Sequence, residues 1–185
     1  AVTVDRLQVL LATHIPQLVD HQQGSYAVQR LCLRSTAFKA RVWSHCLAHL
    51  SDLVRNYYSS KVIQCLLEQS QAHAAAVLRW FRANPWELWA DISAVFIAST
   101  AIETVGDERE FNFILALIAN KEARIGSRYL KRVLVAVVEN CDQKSLPANY
   151  RLLNGCYHFL QRGRDRFLAQ ILETFIRRGT EEPCK

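Results

Sequence analysis

Glycine, proline and methionine are scarce in this 185-residue sequence. It contains six glycines, four prolines and no methionine. The turns of hairpin-rich proteins depend on glycine and proline, so this composition argues against a β-sandwich or a β-barrel. Half of the residues are apolar, which is enough for a substantial core and argues against disorder. The long amphipathic stretches that remain predict an all-α fold.

Paired cysteines, long apolar runs and a leader segment are also missing. The six cysteines form no CxxC pair, and most lie in apolar helical stretches, as expected of small buried thiols in a reducing compartment. No stretch approaches the roughly 20 apolar residues of a membrane-spanning helix. We therefore expect a soluble protein without membrane contact. We also expect a monomer. The lack of any leader or methionine suggests a domain excised from a longer protein.

Motifs of catalytic sites are absent as well. The sequence has no phosphate-binding loop, no GxSxG elbow and no HExxH pair. We expect no enzymatic activity and no cofactor.

Two clusters of residues admit alternative interpretations. His45 and His49 flank Cys46 at a spacing that can bind zinc, but no second ligand pair lies at a matching distance. We expect these histidines to pack between helices and to bind no metal. Three tryptophans could form a stacking platform, although a place in the core is favoured because aromatic rings supply much of the area buried between helices. They are Trp80, Trp86 and Trp89.

The net charge of +6 is unevenly distributed. Residues 1–120 carry ten basic and ten acidic side chains, whereas residues 121–178 carry twelve basic and five acidic ones. Arginine dominates the basic set, and its planar guanidinium pairs with phosphate and stacks on bases. The C-terminal third therefore favours a polyanionic partner. A merely soluble basic surface is the alternative.

An internal repeat organises the chain. A shift of 35 residues aligns residues 14–31 with residues 49–66, and the shared positions include histidine, Leu-Val, serine, glutamine and leucine. A further shift of 39 residues brings residues 89–105 onto the same template, including Phe96. Such self-similarity is typical of stacked helical repeats.

Each unit consists of a first helix, a short polar break and a second helix whose apolar pairs need a neighbouring unit to bury them. We predict a right-handed α-solenoid of about five units. Their bounds are 1–35, 36–71, 72–107, 108–143 and 144–185.

A polar pair recurs on the second helix of the first three units. Ser25 pairs with Gln29, Ser60 with Gln64, and Ser99 with Glu103, each four residues apart. Residues at i and i+4 share one helix face, so each pair is predicted to project together. A hydroxyl beside an amide or carboxylate can hydrogen-bond to one base edge, although solvated surface pairs are the alternative.

The segments 24–31 and 59–68 resemble Pumilio-family RNA-binding repeats, strongly over residues 5–70, moderately over 80–106 and faintly beyond 120. In that family three residues of the second helix recognise one base, two through its edge and one by stacking. The resemblance implies that Ser25 and Gln29 read adenine with Tyr26 stacking. It implies the same for Ser60 and Gln64, with Lys61 in the stacking place. Ser99 and Glu103 resemble the combination that reads guanine, with Thr100 between them.

The later units depart from this pattern. Lys61 and Thr100 offer no planar group for stacking, which is worth roughly 1–3 kcal/mol per base. In the fourth unit Ser127, Arg128 and Lys131 occupy the equivalent places and suit phosphate better than a base edge. The fifth unit places Arg164, Asp165 and Leu168 there, a combination that reads no base convincingly.

The resemblance implies a single-stranded RNA-binding module in which the concave face of the stack reads a short element. Post-transcriptional control of messenger RNA in the cytoplasm would follow. If the polarity of the family holds, the preferred trinucleotide is G-A-A. One alternative is sequence-independent RNA binding in nucleolar ribosome assembly, driven by the basic C-terminal third. Another is a scaffold that binds a protein partner through its convex face or a longer parent chain.

Overall fold

The computed structural model describes residues 9, 11–84 and 91–105. Within these ranges the chain forms helices and no strand, which confirms the all-α prediction. No helix in the described ranges is long and apolar enough to cross a membrane. The helices are α1 Ile15–Val19, α2 Gln22–Cys32, α3 Thr36–Ala48, α4 Leu50–Leu53, α5 Tyr57–Glu68, α6 Gln71–Ala83 and α7 Ile92–Val105.

The helices begin at polar side chains that recur 35 residues apart. Ser35 Oγ accepts a hydrogen bond of 3.2 Å from the Phe38 amide at the start of α3. Ser70 caps α6 in the same way. His21 and Asn56 cap α2 and α5, again 35 residues apart. Because such a cap contributes about 1 kcal/mol, the repeat in the sequence fixes where the helices begin.

The buried side chains repeat with the same period. The second member of each buried pair lies 35 residues after the first, so equivalent positions of two units fill the core. The pairs are Ile15 and Leu50, Val19 and Val54, Val28 and Ile63, Leu31 and Leu66, and Cys32 and Leu67. Helix α2 packs against α5, and α5 packs against α7. One hydrophobic cluster therefore runs through successive units, as expected of a solenoid.

The division into five units stays a prediction. The units at 108–143 and 144–185 lie outside the described residues, as do Trp86 and Trp89. Trp80 is half-buried and packs against the core, with its ring 5.1 Å from that of Phe81.

The thiols of the described part behave as small apolar groups. Burial raises the pKa of Cys32 and of Cys46 to about 12. Burial and the charge of Glu68 also raise the pKa of the half-buried Cys65. All three thiols are therefore protonated near neutral pH and poorly reactive, in agreement with the expectation from the sequence.

The two histidines of α3 lie together, with ring centroids 4.8 Å apart. Burial, followed by the neighbouring His49, lowers the pKa of His45. In residues 11–84 and 91–105, no three His, Cys, Asp or Glu side chains are grouped closely enough to hold a metal ion.

The first helix of the pair contacts the second closely in both units, α1 against α2 and α4 against α5, but the contacting residues differ. A Cβ atom on Gly24 of α2 would lie 2.5 Å from the carbonyl oxygen of Leu18 and 2.8 Å from its Cα. In the second unit the equivalent residues are Ser59 and Leu53, and Ser59 Oγ donates a 2.8 Å hydrogen bond to the Leu53 carbonyl. In the first unit Gly24 therefore permits direct contact between the two backbones. In the second unit a side-chain hydrogen bond from Ser59 takes the place of that contact.

Replacing Gly24 by alanine is expected to lower the free energy of unfolding by about 1–2 kcal/mol. Overpacking typically costs about 1–3 kcal/mol, and alanine recovers up to about 1 kcal/mol of helix propensity. Urea unfolding measures the change, and Gln23→Ala, at an exposed neighbour in α2, is the control. A midpoint equal to that of the wild type would show that α1 and α2 do not approach so closely.

Candidate nucleic-acid interface

Helices α2, α5 and α7 lie side by side, and each carries one of the predicted sets of reading residues. The equivalent positions on neighbouring helices thus form a continuous series. We define the reading face by the members of these sets that keep some exposure, together with Thr100. They are Tyr26 and Gln29 on α2, Lys61 and Gln64 on α5, and Thr100 and Glu103 on α7.

The three serines of these sets are buried, which the i,i+4 spacing does not predict. Ser25 Oγ donates a 2.9 Å hydrogen bond to the Gln22 carbonyl. Ser60 Oγ donates to the Tyr57 carbonyl at 2.7 Å, and Ser99 Oγ to the Val95 carbonyl at 2.9 Å. Each hydroxyl therefore satisfies its donor within its own helix, as small hydroxyl side chains often do. Their role in base recognition stays a prediction.

The amide and carboxylate partners are more accessible. Gln29 and Gln64 are half-buried, and Glu103 is exposed. The Nε2 atom of Gln64 is buried and has no hydrogen-bond partner among the described residues. An unsatisfied buried polar group costs about 1–3 kcal/mol. A ligand can accept from this atom only once the Gln64 side chain turns outward, and the hydrogen bond would then remove this cost.

Aromatic rings and cations alternate around these residues. The guanidinium carbon of Arg30 lies 5.1 Å from the ring centroid of Tyr26. Lys61 Nζ lies 5.5 Å from the centroid of Tyr57 and 5.3 Å from that of Phe96. These are distances at which a cation is attracted to the face of an aromatic ring. The surface therefore combines positive charge with planar groups.

Arg30 and Tyr57 lie outside the set of residues predicted from the sequence. A shift of 35 residues places Tyr57 on Gln22, which is not aromatic, so this alignment indicates no recurring aromatic position. The further shift of 39 places it on Phe96, which is also aromatic. That recurrence, four residues before Lys61 and Thr100, could have revealed an aromatic position beside the reading face.

A polar cleft of about 550 Å³ lies beside the third set of residues. It is formed by the end of α5, the start of α6 and the second half of α7, and it includes two members of the reading face. Its lining residues are Glu68, Gln69, Ser70, Gln71, Thr100, Glu103 and Thr104. The cleft offers carboxylates, amides and hydroxyls, which can hydrogen-bond to a polar ligand edge.

The fourth set of predicted residues, Ser127, Arg128 and Lys131, lies outside the described residues. The basic C-terminal third likewise has no described structure.

Known proteins resemble this chain in structure, but none matches it in sequence. No family model matches the chain, and no curated protein matches it. The structure is similar to that of PUF-8 in complex with PBE-RNA, with a TM-score of 0.77 and 18% identity over 96% of this chain. It is also similar to a Puf4 mutant bound to a Cox17 RNA 3′ UTR recognition sequence, with a TM-score of 0.73 and 17% identity over 96% of this chain.

A third similar structure is the Puf4 RNA-binding domain bound to an HO endonuclease RNA 3′ UTR recognition sequence. Its TM-score is 0.71, with 16% identity over 95% of this chain. This chain spans 52% to 60% of the length of these solved chains. The resemblance to Pumilio repeats in the sequence is therefore confirmed for the fold: the chain has the all-α solenoid fold of PUF RNA-binding domains.

Proposed function

We propose that this chain binds single-stranded RNA through the reading face of α2, α5 and α7. The observation that carries the proposal is the series formed by Gln29, Gln64 and Glu103 at equivalent positions of three adjoining helices. Such a series suits a ligand that repeats at similar intervals, and a single strand of nucleic acid is one. The PUF domains of similar structure are solved with RNA bound, which supports this choice of ligand.

The chemistry of the side chains supports base recognition. An amide offers both a donor and an acceptor to the edge of adenine, and a carboxylate accepts from the two donor nitrogens of guanine. The unpartnered Nε2 of Gln64 is buried, and a rotation of this side chain would bring the donor to an RNA base. Tyr26 adds an exposed ring on which a base can stack.

Post-transcriptional control of messenger RNA is the biological role that we propose for this binding. If the polarity of Pumilio repeats applies, the first unit lies nearest the 3′ end of the RNA, so α7, α5 and α2 read G-A-A from 5′ to 3′.

In a fluorescence polarisation assay, the full chain is expected to bind an RNA that carries G-A-A between uridines more tightly than a scrambled RNA. Gln29→Ala removes the edge contact to the 3′ adenine and is expected to reduce the preference for that base about tenfold. This corresponds to the roughly 1–3 kcal/mol of discrimination from one bidentate contact. Gln23→Ala, an exposed glutamine of the same helix, is the matched control and should keep the preference.

Two other outcomes would favour the alternatives. Equal affinity for both RNAs, with a steep dependence on salt, would indicate sequence-independent binding through the basic C-terminal third. If a random RNA pool yielded no binder, RNA binding would be ruled out and a protein-interaction scaffold favoured.

A further inference from the structure

Tyr57 is an exposed aromatic residue outside the set carried over from Pumilio repeats. It is the first residue of α5, and 62% of its surface is exposed. It lies four residues before Lys61 and seven before Gln64, so the three residues share one side of the helix. Tyr57 therefore extends the reading face by one helical turn, about 5.4 Å, towards the start of α5.

The surroundings of Tyr57 match those of Tyr26, the residue in the stacking place of the first unit. Both rings are 62% exposed, and both have a cation over the ring four residues later in the same helix. A single exposed apolar side chain needs no explanation. Here the same exposure and the same tyrosine-cation pair recur on two adjoining helices.

The ring of Tyr57 is also held in place from two directions. Lys61 Nζ lies over it at 5.5 Å, and the ring of Tyr58 meets it edge to face with centroids 5.5 Å apart. A ring oriented before binding loses little conformational entropy when a base stacks on it. Lys61 itself lies close to two rings, those of Tyr57 and of Phe96 on the next helix.

We propose that Tyr57, and not Lys61, provides the stacking surface of the second unit, one turn away from the place that Tyr26 occupies in the first. This inference rests on the proposed RNA binding and deepens it. Lys61 then has a different role: it orients the ring and places a positive charge beside the RNA backbone. The missing planar group at position 61 is thus supplied by a neighbouring position of the same helix.

The experiment uses the full chain and an RNA carrying G-A-A between uridines, with the middle adenine replaced by 2-aminopurine. The emission of this adenine analogue falls when it stacks. Wild type is expected to quench it, whereas Tyr57→Ala should restore emission at saturation and weaken binding about tenfold, within the range for loss of one stacked base. Tyr57→Phe keeps the ring and should behave as wild type.

Two further variants separate stacking from charge and from surface change. Lys61→Met removes the charge. It should reduce the slope of log K against log salt by the amount that corresponds to about one phosphate contact, while the 2-aminopurine emission stays quenched. Gln22→Ala changes the equivalent exposed position of α2 and should have no effect on the middle base.

The results distinguish this inference from the function on which it rests. If wild type binds the RNA and Tyr57→Ala binds and quenches equally well, the assignment of Tyr57 is wrong and RNA binding stands. If Lys61→Met lost the quenching of 2-aminopurine emission and Tyr57→Ala kept it, the side chain at position 61 and not Tyr57 would be the one that stacks on the base. If wild type binds none of the RNAs, both proposals fail.

Discussion

Leu66→Ala is expected to lower the free energy of unfolding by about 2–5 kcal/mol. Leu66 is fully buried in α5, between the neighbouring helices of the solenoid. Removing three carbons there loses the transfer free energy of the side chain and leaves a cavity that the packed helices fill only in part. Since most small domains are stable by only about 5–15 kcal/mol, this single change would remove a large share of the stability.

Urea denaturation followed by circular dichroism measures this loss. Leu33→Ala is the matched control, because Leu33 follows α2 and is 65% exposed, so its removal should change stability by less than about 0.5 kcal/mol. Leu66 is not part of the reading face, and the folded fraction of Leu66→Ala should bind RNA with the affinity of the wild type. Similar effects of both variants on unfolding would contradict the placement of Leu66 in the core.

The parts of the fold that the sequence predicts are those set by local periodicity. The shift of 35 residues identifies equivalent positions such as Val28 and Ile63, and both are buried. Helix starts are also visible in the sequence, since serine and asparagine are strong capping residues and a polar capping side chain recurs at that spacing. All-α structure and stacking therefore follow from patterns within about one repeat length.

The accessibility of the site residues could not be predicted in the same way. The spacing of Ser60 and Gln64 shows that they share a helix face, but not that the serine bonds to its own helix at 2.7 Å. Nor does it show that Lys61 reaches Phe96, 35 residues away, because that contact depends on the distance between adjoining helices. Such contacts between units are set by packing, which a single repeat does not encode.

The close approach at Gly24 is a further case. Glycine in a helix usually costs about 0.5–1 kcal/mol relative to alanine, so the sequence alone marks it as a weak point of α2. The structure gives the compensating reason, a backbone contact with Leu18 that leaves no room for Cβ. The hydrogen bond of Ser59 to the Leu53 carbonyl could not be inferred, since the first unit has glycine where the second has Ser59.

The double variant Tyr26→Ala/Tyr57→Ala is expected to bind the G-A-A RNA about 100-fold more weakly than wild type. The two tyrosines lie on different helices and are proposed to stack on different bases, so their contributions should be independent and their fold-losses should multiply. With about tenfold for each ring, the total corresponds to roughly 2.7 kcal/mol. Fluorescence polarisation of the wild type, both single variants and the double variant completes the cycle.

Charge provides the control for this experiment. Neither substitution removes a cation, so the dependence of affinity on salt should be the same in all four proteins, although the affinities differ. The Tyr26→Phe/Tyr57→Phe variant keeps both rings and should retain the affinity of the wild type. If the double variant bound the RNA as tightly as the single variant of lower affinity, both rings would act on one base. Stacking in the second unit would then not be independent of the first, because the RNA would contact Tyr26 and Tyr57 as a single platform.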